Sequence, residues 1–295
     1  MDQQSTLCIS GASVNKSATG EDLTEREIGG ADIHSNYSGE VHFVETSEET
    51  SILRTRQLLS YLPSNNEESP PSLMSLDPED REENQVEQLL PQDNETPFDM
   101  KALIRLFVDD YEFFEVQELF APNVLTGFAR FGGITVGIIA NQSLHLAGAL
   151  DCNGFRKLAR FINFLGAFNF PLISFVDVPG AIPTAQQHKS GILTRGSQFL
   201  QALGHLKTLK ISILVRRCFG GAYAMMNPKV SGGDIIYAYP NAMVGIMSDK
   251  AMKAFMKSGN KKMLAYLETL QAKGERFDDP FLAATYSYID DVIYP

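Results

Sequence analysis

Downstream of residue 98, the hydrophobic positions of the chain alternate between short β-branched runs and longer stretches with helical spacing. The short apolar runs predict strands at residues 134–140, 172–176, 211–215 and 234–239. The longer stretches predict helices over residues 155–167 and 196–206, from near Gly221, and over residues 250–256 and 261–273. This succession predicts an α/β fold of parallel βαβ units, in which ligands bind at the carboxyl ends of the strands.

The first third of the chain carries a different pattern. Apolar residues at helical spacing over residues 51–62 follow an acidic, hydroxyl-rich start, so we expect residues 1–66 to contain folded structure. Residues 67–97 combine five prolines with many acids and little hydrophobic periodicity, which is typical of a linker. The pattern therefore divides the chain into a folded segment 1–66, a linker 67–97 and a main domain 98–295.

Charge is distributed unevenly along the chain. The 295 residues have a net charge of −11, and residues 40–99 alone hold 15 acidic and 3 basic side chains. We interpret this segment as a solvated connector, and because the chain has no basic stripe, we expect no nucleic-acid partner.

The apolar runs are far shorter than the ~20 residues that a membrane-spanning helix needs, and the N-terminus lacks the pattern of a secretory signal. We therefore expect a cytoplasmic protein with no membrane partner.

Cysteine and histidine spacing gives no sign of a metal site. Cys8, Cys152 and Cys218 show no paired spacing, and we interpret all three as small buried hydrophobic residues. The five histidines lack the spacing of metal ligands, and each is more simply explained as structural. The motifs of phosphate-binding loops, zinc proteases and serine hydrolases are absent from the sequence.

One predicted strand end combines a carboxylate with a sharp exit. The strand at residues 172–176 runs into Asp177, and Pro179 and Gly180 follow. Proline holds the preceding residue extended, and glycine permits a sharp turn, so the backbone can approach a ligand closely. An ordinary strand-to-loop turn is the alternative interpretation.

A second predicted strand end leads into a helix that starts with small residues. The strand at residues 211–215 is followed by Arg216 and Arg217. The helix start then contains Gly220, Gly221, Ala222 and Tyr223. Small residues leave the backbone N–H groups accessible at the positive end of the helix dipole, where they can hold an oxyanion. Close packing of helix against strand is the alternative for the glycines, and the two arginines either meet an anionic substrate or carry surface charge at a helix end.

Five segments of the chain resemble the carboxyltransferase β subunit of propionyl-CoA carboxylase and of related biotin-dependent acyl-CoA carboxylases. The segments are residues 19–43, 58–66, 108–142, 150–180 and 216–226. The resemblance covers nearly the whole chain with few gaps. It implies a crotonase/ClpP-like fold, in which residues 98–295 form the carboxyltransferase C-terminal domain and residues 1–66 form the tail end of a second such domain.

The resemblance also implies an activity and its partners. The family transfers a carboxyl group from carboxybiotin to the enolate of an acyl-CoA such as propionyl- or acetyl-CoA. Biotin reaches the site on a biotin carboxylase or biotin carrier partner and is not bound directly as a resident cofactor. The family's active site lies between the N-domain of one protomer and the C-domain of another, so we expect a complementary N-domain or a homo-oligomer.

By position, the resemblance assigns a role to several residues. Gly221 and Ala222 correspond to the oxyanion hole on the biotin side. Positions that correspond to the substrate or biotin site are Asp177, Pro179, Gly180, Gly220, Tyr223 and Ala224. Positions in the acyl-CoA region are Phe113, Phe114, Phe128 and Arg130.

The sequence also departs from the family pattern. Its first residues align inside the family's N-domain and its last residues stop before the family's final helix, so we expect one half of the catalytic machinery to be missing. Ala224 replaces an aspartate, and Thr184, His188 and Thr194 replace a glycine, a glutamate and an arginine. Acyl-chain preference therefore stays open.

Two alternatives to carboxyl transfer stay open. One is an inactive truncated or split-gene product that acts at most in assembly, and the other is a different crotonase-fold activity, hydration or thioester hydrolysis.

Overall fold

The structure, a computed structural model, describes residues 5–78, 81–248 and 276–294, together with positions 251, 252, 254, 265, 268, 269 and 272. The helices predicted at residues 250–256 and 261–273 fall largely outside the described residues. All other predicted elements lie inside them.

A mixed sheet organises the main part of the chain. Its strands are β1 (Phe114–Glu115), β2 (Val124–Phe131), β3 (Ile134–Asn141), β4 (Leu172–Val178), β5 (Lys210–Phe219), β6 (Ile235–Ala238), β7 (Met243–Gly245) and β8 (Asp291–Val292). The strand order is β1-β2-β3-β4-β5-β6-β8, and β7 also pairs with β5. Every pair from β3 onward is parallel, and β1 and β2 join antiparallel. The four predicted strands and their parallel pairing are confirmed, and β1 and β2 add an antiparallel edge to the sheet.

The antiparallel edge follows from a tight hairpin. Gly132 and Gly133 connect β2 to β3 with φ angles of 55° and 80°, and a two-residue turn of this hand needs left-handed backbone at both positions. Two adjacent glycines adopt that conformation without a steric penalty. The hairpin therefore places β2 beside β3 across eight paired positions.

Helices cover both faces of the sheet. Within residues 5–78, 81–248 and 276–294, the α-helices are α1 (Ala12–Thr19), α2 (Glu25–Gly29), α3 (Ala31–Ile33), α4 (Glu48–Leu59), α5 (Gln85–Leu89), α6 (Met100–Phe107), α7 (Cys152–Ala167), α8 (Ala185–Lys189), α9 (Ile192–His205), α10 (Gly220–Met225) and α11 (Pro280–Thr285). Buried residues of α7 and α9, such as Phe155 and Phe199, form one hydrophobic cluster. Leu103 and Ile104 of α6 pack in a second cluster with Phe175 of β4. Apolar strands with both faces covered are the arrangement that parallel sheets require.

Residues 5–66 pack directly on the sheet. Tyr61 is 1% exposed, and its ring lies 5.5 Å from that of Phe114 and 5.9 Å from that of Phe128. The Gln117 side chain donates to the carbonyl of Gly39 at 2.6 Å. In the predicted linker, the N–H of Leu73 donates to Gly133 of the hairpin at 3.0 Å. The linker is thus tied to the sheet, and the division into domains stays a prediction.

The cysteines differ in their environments. Cys218 in β5 is completely buried, whereas Cys8 and Cys152 are each half-buried. The prediction of a buried residue is confirmed for Cys218 and wrong for the other two.

Within the part of the chain that the structure describes, no helix combines the length and the apolar character needed to cross a membrane.

Candidate active site

A cavity of about 910 Å³ opens where β4 and β5 end. Pro179 and Gly180, which directly follow β4, form one side of it, and Gly220, Gly221 and Ala222 at the start of α10 form another. Apolar side chains complete much of the lining, namely Phe155, Ile192, Phe219, Met225, Met243 and Ile246. The cavity therefore lies at the carboxyl ends of parallel strands, where the sequence pattern places a ligand.

The start of α10 exposes backbone to this cavity. Gly220 has a φ of 62°, in the left-handed region that glycine adopts readily, so the chain turns sharply from β5 into the helix. Gly221 is exposed, and a Cβ added to it would meet no atom within 4 Å. The first N–H groups of a helix have no partner within the helix, and the helix dipole is positive there. This wall can therefore stabilise a negative charge on a ligand oxygen.

Asp177 lies behind the cavity wall in a buried ion cluster. Its carboxylate is 0% exposed and accepts from Arg216 at 2.8 Å and from Arg217 at 2.8 and 2.9 Å. The N–H of Arg217 also donates to it at 3.0 Å. Both arginines are nearly buried, at 3% and 9% exposure. The interpretation of this arginine pair as surface charge at a helix end is therefore wrong.

A shift in strand register brings both arginines to one carboxylate. Consecutive residues of a regular strand point to opposite faces, so Arg216 and Arg217 would ordinarily diverge. Opposite Asp177, however, the pairing of β4 with β5 jumps from Val176 with Leu214 to Val178 with Cys218. The extra residues of β5 form an irregularity of the kind that redirects side chains beside functional sites. Both guanidinium groups consequently reach the same side chain.

The electrostatics of Asp177 follow from these contacts. Burial by itself would raise the pKa of this carboxyl, because it disfavours the charged form. The hydrogen bonds from Arg217 and Arg216 outweigh burial and lower the pKa below its ordinary value. Asp177 is therefore a charged anchor for two arginines, and it is not among the residues that line the cavity.

The structure brings some of the sequence-predicted residues together and separates others. Pro179, Gly180, Gly220, Gly221 and Ala222 share the cavity, and so does His188 of α8. Tyr223 and Ala224, further along α10, are half-buried and lie outside its lining.

The four residues of the expected acyl-CoA region lie elsewhere. Phe114 and Phe128 belong to the hydrophobic core. The guanidinium of Arg130 lies 4.2 Å from the ring centroid of Tyr61 and donates to the carbonyl of Ser60. Phe113 lines a separate polar cavity of about 380 Å³. None of the four lines the cavity at the strand ends, so they do not form one site with it.

Sequence reasoning missed several lining residues. Met243, Ile246, Arg276 and Asp278 also line the cavity, and Arg276 pairs with Asp278 at 3.1 Å. These residues come from the end of the sheet and from beyond it, and no local motif marks them. Among the described residues, no group of three or more histidine, cysteine or acidic side chains is arranged to hold a metal ion.

The fold and the cavity define a crotonase-like α/β protein with an anion-stabilising wall at its strand ends, and comparison with known proteins identifies its family. The carboxyl transferase domain model matches residues 1–295. The chain is 40% identical to the methylmalonyl-CoA decarboxylase subunit alpha of Veillonella parvula and 36% identical to the propionyl-CoA carboxylase beta chain of Roseobacter denitrificans. Each alignment covers 99% of this chain and 57% of the relative. This chain belongs to the carboxyl transferase family.

A solved structure agrees with the sequence comparison. The crystal structure of transcarboxylase 12S matches all of this chain with a TM-score of 0.92 and 34% identity, over 56% of its own length. That protein is described as a hexamer with hydrolysed methylmalonyl-coenzyme A bound. The chain thus spans little more than half the length of the relatives that it matches.

Proposed function

We propose that this chain transfers a carboxyl group between an acyl-CoA thioester and biotin carried on a partner protein. The observation that carries the proposal is the cavity at the ends of β4 and β5, whose wall combines the open backbone at Gly221 with the buried cation Arg217. Membership of the carboxyl transferase family supports this reaction class. The resemblance to biotin-dependent acyl-CoA carboxylases supports biotin as the second substrate.

The cavity offers the stabilisation that carboxyl transfer requires. Removing or adding a carboxyl group places negative charge on a carbonyl oxygen of the thioester or of the biotin ring. Backbone N–H groups at Gly221 and Ala222 are suited to stabilise that charge, and one such donor is commonly worth about 3 kcal/mol. Much of the remaining lining is apolar, which suits the uncharged part of a thioester.

The relatives' names concern both directions of one reaction. One is named for the decarboxylation of methylmalonyl-CoA and the other for the carboxylation of propionyl-CoA. These two thioesters differ by the carboxyl group that is transferred. The proposal therefore specifies a short acyl-CoA as substrate and leaves the direction of transfer to the partner proteins.

The relatives are nearly twice as long as this sequence. The proposal therefore includes a second carboxyltransferase domain, in this protein, on a partner chain or in a homo-oligomer, that completes the acyl-CoA site.

The test measures transfer of labelled carboxyl from methylmalonyl-CoA to free biotin. The chain is assayed alone and together with the N-terminal half of a relative. Gly221→Leu is the informative variant, because a side chain there has open space and projects from the cavity wall. Gly204→Leu is the matched control, since Gly204 is an exposed helical glycine with equal room and lies outside the cavity.

We expect transfer by the wild type and by Gly204→Leu, and a loss of about 100-fold or more in Gly221→Leu. Absence of transfer by the wild type in both assays would contradict the proposal and favour a role in assembly. Equal transfer by the two variants would contradict the placement of the site.

A further inference from the structure

The buried ion cluster behind the cavity has one positive charge more than it has negative charges. Asp177 supplies the single carboxylate, and Arg216 and Arg217 supply two guanidinium groups. All three residues are at most 9% exposed. A buried charge without a counter-charge is costly, so a net positive cluster favours an anion beside it.

Arg216 has its donors committed within the protein. Besides Asp177, it donates to the carbonyl of Thr96 at 2.6 Å, and its guanidinium lies 4.9 Å from the ring centroid of Phe98. It does not line the cavity. The exposed carboxylate of Asp93 also interacts electrostatically with Arg216, so the part of the cluster without a counter-charge is Arg217.

Arg217 is the member of the cluster that lines the cavity. Its Nε and Nη2 atoms face Asp177, and Nη2 also donates to the carbonyl of Ala147 at 2.9 Å. The Nη1 atom has no hydrogen-bond partner among the described residues. Asp177 and the Ala147 carbonyl thus hold Nε and Nη2 of this planar group, and Nη1 is left for a ligand.

Among the described residues of the cavity wall, three further side chains carry charge, namely Glu95, Arg276 and Asp278. Arg276 and Asp278 form an ion pair with each other. Glu95 is an exposed side chain, in contrast to the buried cluster. The accessible backbone at Gly221 adds further positive potential to the same cavity.

We infer that Arg217 binds a carboxylate of the ligand through Nη1, and that this carboxylate is the group transferred between acyl-CoA and biotin. Guanidinium groups hold carboxylates with charge-assisted hydrogen bonds of defined geometry. This inference rests on the proposed function for the identity of the ligand. The anion site itself rests on the geometry of the cluster.

A small dicarboxylate tests the site without the rest of the substrate. The wild-type chain is titrated with malonate, and with uncharged malonamide as the comparison, while the Nε–H signals of arginine side chains are followed by NMR. Arg217→Met identifies the Arg217 signal by its disappearance. Arg56→Met is the matched control, because Arg56 is exposed on α4 and loses the same charge.

We expect malonate to shift the Arg217 signal saturably and malonamide to bind about tenfold more weakly or not at all. Arg217→Met should lose about tenfold or more in malonate affinity, and Arg56→Met should match the wild type. If Arg217→Met does not fold, Arg217→Lys serves instead, because a lysine keeps the ion pair with Asp177 but cannot also offer a second edge. An unmoved Arg217 signal, or unchanged malonate affinity in the variant, would overturn the inference.

The carboxyl transfer assay separates this inference from the proposed function. Transfer at the wild-type rate and KM by Arg217→Lys would refute the role of Arg217 and leave the proposed function intact. Malonate binding that depends on Arg217, without any transfer by the wild type, would refute the proposed function and leave the anion site intact.

Discussion

At the scale of single residues, two buried charges show how this chain uses hydrogen bonds to keep ionised groups inside. Asp177 remains charged because two arginines donate to it. Lys157 on α7 is 1% exposed, and its Nζ atom donates to the carbonyls of Phe120 at 2.9 Å and Val124 at 2.8 Å. The lysine thereby fixes the loop that leads into β2.

The buried lysine makes stability depend on pH. Burial lowers the pKa of Lys157 from 10.5 to about 8, and the charge of Glu115 opposes this only in part. Between pH 8 and 10.5 the unfolded chain binds more protons than the folded chain, so the Lys157 contribution to stability rises with pH across that window. Below pH 8 both states are protonated and the contribution is constant.

We predict that the free energy of unfolding of the wild type, relative to Lys157→Met, increases by about 3 kcal/mol between pH 8 and 10.5. Urea unfolding at a series of pH values measures the difference. Subtracting the free energy of unfolding of Lys157→Met cancels the effect of titrating tyrosines and cysteines, because both proteins contain them. A difference that stays flat over this range would mean that Lys157 titrates as an ordinary exposed lysine.

At the scale of elements, the sheet was predictable wherever strands carry their own local signal. The apolar runs that start β3, β4 and β5 identify them without any knowledge of their neighbours. The end of β5 was not predictable, because Arg216 and Arg217 interrupt the apolar pattern. They are accommodated in a buried strand only because Asp177 of β4 neutralises one of them, and that partner is 40 residues distant in sequence.

Dependence on residues distant in sequence also explains why β2 and most of the cavity lining were not predicted. Strand β2 contains a glycine and carries Arg130 next to its last residue, so its pattern resembles neither a buried strand nor an alternating one. Arg130 is tolerated there because it packs on Tyr61, far upstream. The start of α10 was found from its glycines, whereas Met243 and Ile246 enter the site through pairing of β7 with β5. Local sequence therefore located the two walls at the ends of β4 and β5, and long-range pairing supplied Met243 and Ile246.

The hairpin between β2 and β3 gives a prediction at this scale. Gly132 and Gly133 both have left-handed backbone, but only Gly133 is crowded. A Cβ on Gly133 would lie 1.8 Å from the carbonyl oxygen of Leu73, whereas a Cβ on Gly132 would meet nothing within 4 Å. We predict that Gly132→Ala costs about 1 kcal/mol of stability, from backbone strain alone.

Gly133→Ala should cost about 2 kcal/mol more, because the linker must also move away from the hairpin. Urea unfolding of both variants measures the two losses. Equal losses would show that the linker does not pack against the hairpin as the structure describes.

At the scale of the whole molecule, residues 5–66 and the sheet share one hydrophobic core. Phe43 and Tyr61 contact Phe114 of β1, and the side chain of Arg156 on α7 donates to the carbonyl of Ser38. These contacts run from the first segment to both the sheet edge and the helix that covers it. We therefore expect the two regions to unfold together, although the sequence pattern separates them with a linker.

Tyr61→Ala tests this cooperativity. The Tyr61 ring is 1% exposed among aromatic neighbours, so its removal should lower the free energy of unfolding of the whole molecule by about 3 kcal/mol. Tyr37→Ala is the control, since Tyr37 is 73% exposed and its loss should change little.

The chain has 10 tyrosines and no tryptophan, so tyrosine fluorescence and far-UV circular dichroism can follow the same urea titration. Coincident transitions that shift together in Tyr61→Ala are the expected result. A separate early transition, with the sheet retaining its stability, would show that residues 5–66 fold as an independent unit.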